Sequence, residues 1–141
     1  MTDSKCWFVN AGGNDLTMEV NNKSVLYNGD ANVDGGTAKL YTDHDSYWGL
    51  SSTGDFMDDD DFQNTRYTLS LLSSNLSELY STARRSPISL TYFHHCLDNG
   101  NYLVKLHFAE LQFTNDETYT SLGRRKFDIY IQVFVAILKK E

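Results

Sequence analysis

At 141 residues with a formal net charge of -7, the chain is about one domain long, and its acidity argues against nucleic acid or an anionic membrane as the main partner. A content of 40% hydrophobic and 22% charged residues is typical of a folded domain and argues against a disordered tail. The longest apolar run, Val133 to Leu138, is too short to span a bilayer, and no apolar signal segment follows Met1.

The N-terminal two thirds of the chain alternate between short strand-like runs and turn residues. The first predicted strand, Cys6 to Asn10, is closed by Ala11-Gly12-Gly13, and a region rich in Asn, Asp and Gly follows from Asn28 to Gly36. A helix of about two turns is plausible only from Ser77 to Arg85. Ser89 to Phe93 is predicted as the next strand.

The C-terminal third carries the clearest alternation. Asp98 to Asn101 contains an Asn-Gly pair and predicts a hairpin turn, which leads into a strand from Tyr102 to Phe113. A polar loop, Thr114 to Gly123, separates this strand from a second alternating run, Lys126 to Gln132. Many short strands with almost no helix predict an all-β fold, an antiparallel β-sandwich or jelly roll.

Patterns for metal binding or catalysis are weak in this sequence. Four adjacent carboxylates, Asp58 to Asp61, are expected to point in different directions, and they lack the spacing of a calcium loop. His94-His95-Cys96 has no second ligand pair to complete a zinc tetrahedron. The sequence has no phosphate-binding loop and no nucleophile elbow, so we expect a binding module that is not an enzyme and has no cofactor.

Two features of the sequence suit an extracellular protein. Cys6 and Cys96 either close a disulfide loop of about 90 residues or remain two free thiols. Asn22 and Asn75 each begin an Asn-x-Ser pattern, which is either an acceptor for N-glycosylation or a chance match in a chain rich in Asn and Ser.

Four segments together resemble the malectin domain, in the version present in the ectodomains of plant leucine-rich-repeat receptor-like kinases. They are FVNAGG from Phe8, YWGLSSTGDFMDDD from Tyr47, SELYSTARRSPISLTYF from Ser77 and NGNYLVKLHFAELQFTNDETYTSLGRRKFDIYIQ from Asn99. The resemblance implies a β-sandwich that binds carbohydrate outside the cell. We expect an N-terminal extension at residues 1–5, an incomplete malectin-like domain at 6–132 that lacks its C-terminal strands, and a divergent tail at 133–141.

The resemblance also suggests where a sugar would bind. Aromatic rings stack on the apolar faces of sugars, while polar side chains bond the hydroxyl groups. The positions that correspond to the family's binding residues, or lie near them, are Tyr47 or Trp48, Tyr80, Arg85, Gln112 and Phe113.

Glu110 ends the apolar row of the strand Tyr102 to Phe113 and belongs to the FAE signature of the resemblance. One interpretation is a structural ion pair with Arg124 or Arg125 that fixes the loop Thr114 to Gly123. The other is a hydrogen bond to a bound sugar.

The resemblance leads to two hypotheses about function. The first is a carbohydrate-binding module, a fragment of a receptor-like kinase ectodomain, for cell-wall or glycoprotein glycans. The alternative is a module that contacts other receptor ectodomains without binding sugar.

Overall fold

The computed structural model describes residues 6–33, 38–54, 66–68, 78–111, 125–132 and 134–135. The chain divides into two compact units, Met1–Leu111 and Gln112–Glu141.

The first unit is built from short strands. In chain order they are β1 (Val9–Asn10), β2 (Leu16–Val20), β3 (Lys23–Gly29), β4 (Ala38–Asp43), β5 (Trp48–Thr53), β6 (Arg66–Thr68), β7 (Thr82–Arg84) and β8 (Ser89–His94). The 3-10 turn Glu78–Tyr80 precedes β7. The second unit has β9 (Tyr130–Ile131) and β10 (Phe134–Val135). The predicted all-β sandwich class is confirmed, and the strand predicted at Ser89 to Phe93 is β8.

The first sheet has the order β1-β3-β2. β2 and β3 form an antiparallel hairpin in which Val20 pairs with Lys23, so Asn21 and Asn22 are its two turn residues. Both have positive φ, 52° and 59°, which suits a two-residue hairpin turn because Asn tolerates the left-handed region better than most residues. β1 runs parallel to β3 and joins the N-terminal segment to this sheet.

The second sheet has the antiparallel order β4-β5-β8, with six paired positions between each pair of neighbours. Because side chains alternate along a strand, one face of this sheet carries the core. Trp48 and Leu50 of β5 lie on that face, are 2% and 0% exposed, and pack with Val33. The half-buried side chains that surround them are Trp7, Tyr41, Leu90 and Tyr92.

The helix predicted from Ser77 to Arg85 is wrong. Its described part contains the single turn Glu78–Tyr80 and then β7, which pairs antiparallel with β6. The reason is a tertiary interaction, since the side chain of Arg84 in β7 is buried against Asp30, a residue 54 positions earlier in the chain. Helix propensity is a weak preference that such contacts override.

The strand predicted from Tyr102 to Phe113 is not formed across residues 102–111, its described part, so the predicted hairpin at Asp98 to Asn101 is wrong as well. The apolar side chains from Tyr102 to Phe108 are exposed, from 42% for Tyr102 to 82% for Leu103, whereas Leu111 is buried. Alternation alone does not make a strand, because a strand also needs a paired neighbour.

The strand predicted from Lys126 to Gln132 is reduced to β9, which pairs with β10 so that Ile131 is opposite Phe134. Gln132 follows β9 with a φ of 55°, in the left-handed region that ends an extended run.

Candidate functional site

A buried polar network fixes the interior of the first unit. Asp30 follows β3, and its side chain is fully buried. Arg84 donates from Nε to Asp30 Oδ2 over 2.7 Å and from its Nη2 to the backbone carbonyls of Asp30 and Val33. The Tyr92 hydroxyl donates to the same carboxylate oxygen. A buried carboxylate needs such partners, because leaving it unpaired costs several kcal/mol.

Protonated Tyr92 is favoured by this arrangement. Burial and the adjacent Asp30 carboxylate raise the pKa of the Tyr92 phenol well above its ordinary value, while Arg84 lowers it by a smaller amount. The hydroxyl therefore remains a donor to Asp30, and β8 is tied through it to the end of β3.

The turn after β1 joins the same network. The backbone N–H of Gly12 donates to Asp30 Oδ1, and Gly12 has a φ of 77°. A Cβ at this position would lie 2.4 Å from the backbone carbonyl carbon of Ala83. Glycine is needed here for both reasons, the left-handed backbone and the close approach of β7. Asp30 thus links the turn after β1 to β7 and β8, and these hydrogen bonds hold β8 of the second sheet next to the end of β3.

Tyr47 projects from the turn that joins β4 to β5. Its side chain is 53% exposed, and its φ of 57° is rare for a bulky residue. Three hydrogen bonds hold the turn. Asp43 Oδ1 accepts the backbone N–H groups of Asp45 and Ser46, at 2.9 and 3.2 Å, and the Tyr47 carbonyl accepts the N–H of His95 over 2.7 Å. The ring is therefore presented to solvent by a rigid turn.

Trp48, the next residue, faces the opposite way. Its ring packs against Trp7 and Tyr41, with centroids 6.0 and 5.7 Å away, and it is 2% exposed. Trp7 in turn contacts the ring of His94 at 5.2 Å. Of the two candidates for one sugar-stacking position, Tyr47 is accessible and Trp48 belongs to the core.

Two of the other predicted binding residues, Tyr80 and Arg85, lie in the described part of the chain. Tyr80 is half-buried, and its hydroxyl lies 2.6 Å from His107 Nδ1. Arg85 is half-buried and follows β7. Gln112 and Phe113 lie outside the described residues.

Glu110 is exposed, so the large cost of removing one partner from a fully buried pair does not apply to it. Arg125 is also exposed, and Arg124 lies outside the described residues. The predicted pairing of Glu110 with these arginines remains a prediction.

Both cysteines, Cys6 and Cys96, are free and exposed, so the disulfide considered from the sequence is not formed. Each thiol lies at the surface, and Cys96 has a left-handed backbone with a φ of 64°. Asn22 occupies the exposed tip of the β2–β3 hairpin, whereas Asn75 and the acidic run Asp58 to Asp61 lie outside the described residues.

Within the described ranges, no group of three His, Cys, Asp or Glu side chains is arranged to hold a metal ion. The same residues contain no helix with the length and apolar character needed to cross a membrane.

Three residues that position this region were not singled out from the sequence. Asp30 occurs in a stretch with a turn-like pattern and Arg84 in one with a helix-like pattern. The two residues are 54 positions apart in the chain, so local sequence spacing does not predict that they form a pair. His95 was considered only as a metal ligand, whereas its backbone holds Tyr47 in place.

Comparison with known proteins shows which family the chain belongs to. A family profile described as "Malectin domain" matches residues 5–138. The chain is 58% identical over 129 residues to the probable LRR receptor-like serine/threonine-protein kinase RFK1 of Arabidopsis thaliana, a match that covers 92% of this chain and 13% of that kinase.

Two further probable LRR receptor-like serine/threonine-protein kinases of Arabidopsis thaliana are 43% and 47% identical. These matches cover 88% and 89% of this chain and 12% of each kinase. No solved structure matches. The chain spans about an eighth of the length of these relatives, and the matched region is their malectin part. The chain therefore belongs to the malectin domain family and is similar to the malectin part of plant LRR receptor-like kinases.

Proposed function

We propose that this chain binds carbohydrate without catalysis, as part of a receptor ectodomain outside the cell, and that Tyr47 is the stacking residue of its binding site. The observation that carries the proposal is an exposed aromatic ring held in a rarely populated backbone conformation.

A bulky residue in the left-handed region costs about 1–3 kcal/mol and persists where the surroundings enforce it. The His95 hydrogen bond and the Asp43 side chain supply that constraint at Tyr47. A ring that is already ordered loses little conformational entropy when a ligand binds, so the turn is preorganised for stacking. Strain at a surface turn of this kind has no benefit for the stability of the fold.

Family membership supports the same ligand class, because carbohydrate binding is the general association of malectin domains. Cell-wall polysaccharides and the glycans of glycoproteins are the classes that a plant receptor ectodomain meets. The kinase activity named for the relatives belongs to parts of those proteins that this chain does not match.

The proposal is tested with the 141-residue chain on an array of neutral and acidic plant oligosaccharides. We expect binding that Tyr47→Ala reduces at least about tenfold and Tyr47→Trp retains, because a flat ring is what the site needs. Tyr102→Ala is the matched control, since Tyr102 is a second exposed tyrosine, 42% exposed, outside the turn. Absence of binding to the whole array would contradict the proposal, and so would equal losses for the two alanine variants.

A second candidate function, contact with another protein, is favoured by the exposed apolar segment that begins at Tyr102. Its side chains are 42% to 82% exposed and include Leu103, Val104, Leu106 and Phe108. Such a run marks a protein contact more often than isolated apolar residues do. Sedimentation of the wild-type chain and of Leu103→Asp tests this role, which predicts association that the substitution reduces.

A further inference from the structure

The outward face of the sheet β4-β5-β8 carries an unusual set of side chains. The strand register places five hydroxyl-bearing residues on this face, opposite the core: Thr42, Ser51, Thr53, Ser89 and Thr91. Thr53, Ser89 and Thr91 are exposed, and the other two are half-buried. Each hydroxyl both donates and accepts hydrogen bonds, as the hydroxyls of a sugar do.

The remaining positions on this face are also uncharged. Leu40 is 69% exposed, and Phe93 is half-buried beside Gly49. A Cβ at Gly49 would lie 2.5 Å from the tip of the Phe93 ring, so the ring lies across β5 where the strand has no side chain. No Asp, Glu, Lys or Arg occupies any of these outward positions, although 22% of the chain is charged. Solvated faces of sheets are ordinarily polar and carry charges.

This uncharged face runs into the Tyr47 turn. Phe93 contacts the ring of His95 edge-on, with centroids 5.1 Å apart, and the backbone of His95 bonds to the Tyr47 carbonyl. His95 and Tyr47 are both exposed. The Tyr47 turn and the outward face are therefore neighbouring parts of one surface.

The size of the face excludes a folded protein as its sole occupant. Three strands about 4.8 Å apart and six residues long at about 3.3 Å each give an area on the order of 10 by 20 Å, or about 200 Å2. A stable protein interface takes roughly 800 Å2 from each partner. A narrow, extended and uncharged ligand fits the area, the hydroxyl groups and the absence of charge.

From this geometry we infer that the ligand is a linear, uncharged oligosaccharide that extends from Tyr47 along the outward face of β4, β5 and β8. The inference rests on the proposed function, and it adds the extent and the charge of the ligand. Tyr47 holds one sugar ring by stacking, and the threonine and serine hydroxyls bond successive rings along the strands.

The test measures affinity against ligand length by titration calorimetry. The probes are β-1,4-linked glucose, xylose and mannose oligomers of one to six units, with an acidic galacturonic acid hexamer beside them. For at least one neutral series we expect the hexamer to bind about tenfold or more tightly than the dimer, and we expect the acidic hexamer to bind more weakly.

Thr91→Arg places a long, charged side chain in the middle of the face, and Thr17→Arg is the matched control at an exposed threonine of the other sheet. Thr91→Arg should reduce the gain with length to about twofold or less, whereas Thr17→Arg should retain the gain. Thermal melts establish that both variants fold.

The outcomes distinguish sugar binding at Tyr47 from the extended site on the sheet face. Affinity that does not increase with length, or equal behaviour of the two arginine variants, overturns the extended site and leaves sugar binding at Tyr47 intact. Tighter binding of the acidic hexamer overturns the uncharged ligand. A chain that binds sugars on the array but none of these probes overturns the extended site alone, whereas a chain that binds nothing on the array contradicts the proposed function.

Discussion

Removal of the Asp30 carboxylate should be among the most damaging single substitutions in the first unit. Asp30→Ala leaves the guanidinium of Arg84, 2% exposed in its side chain, without its buried counter-charge. It also takes an acceptor from the Tyr92 hydroxyl and from the Gly12 amide. Breaking a buried ion pair costs about 3–5 kcal/mol, and each stranded hydrogen-bonding group costs about 1–3 kcal/mol more, although these losses do not add in full.

A loss of this size is a large part of the 5–15 kcal/mol that stabilises a typical domain. For a chain of this length we expect a decrease of roughly 10–20 °C in the melting temperature. Thermal unfolding followed by circular dichroism measures it, and urea unfolding gives the corresponding free energy. Asp45→Ala is the control, because Asp45 is exposed and its loss should change stability by less than about 0.5 kcal/mol.

A double-mutant cycle separates the pair from other effects of the substitution. Asp30→Leu with Arg84→Met removes both charges, and the double variant should be more stable than the sum of the two single losses predicts. Additive losses, or an Asp30→Ala variant within 1 kcal/mol of wild type, would refute the reasoning that this network holds the sheets together.

Three further predictions concern other parts of the first unit. Gly12→Ala should cost more than about 2 kcal/mol, because it adds a Cβ at positive φ against the Ala83 backbone, whereas Gly100→Ala, in open space, should be neutral; urea unfolding compares them. Because the pKa of Tyr92 is raised in the folded state, its contribution to stability is fully present below the ordinary tyrosine pKa of about 10. Above that pH the free energy of unfolding should fall by up to about 1.4 kcal/mol per pH unit, and Tyr92→Phe should flatten this decline. If wild type and Tyr92→Phe decline in parallel, the assignment is wrong. Secretion from a eukaryotic host should add a glycan at Asn22, seen by mass spectrometry of the peptide, that Asn22→Gln removes and Asn21→Gln leaves; an unmodified Asn22 would contradict this.

Local pattern predicted the elements whose partners are also local. The strand at Ser89 to Phe93 was predicted from its β-rich run between turns, and it forms because β5 pairs with it along its whole length. Asn21 and Asn22 likewise form a turn between two strands that pair directly. In both places the chemistry of the segment and its neighbour in space favour the same conformation.

Contacts between distant residues account for the predictions that were wrong. The apolar spacing from Ser77 to Arg85 favoured a helix, but Arg84 is buried beside Asp30, and β7 pairs with β6. The alternation from Tyr102 onward favours a strand, but a strand is stabilised by pairing with a neighbour and by burial of one face. Residues 102–108 are exposed and do not form a strand.

In the candidate site, too, local sequence does not predict which of two adjacent residues is exposed. Tyr47 and Trp48 are adjacent aromatics, and the family resemblance leaves them as alternatives for one binding position. The turn conformation at Tyr47 and the core position of Trp48 separate them, and neither is encoded in the spacing of the two residues.

The most direct test of carbohydrate binding is calorimetric titration of the 141-residue chain and of its Tyr47→Ala variant with the neutral oligosaccharide that gives the highest signal on the array. We expect saturable binding by the wild-type chain and at least about tenfold weaker binding by the variant, with melting temperatures that agree within about 2 °C because Tyr47 is exposed. Equal affinity of the two proteins, or no heat of binding from the wild-type chain, would contradict the account.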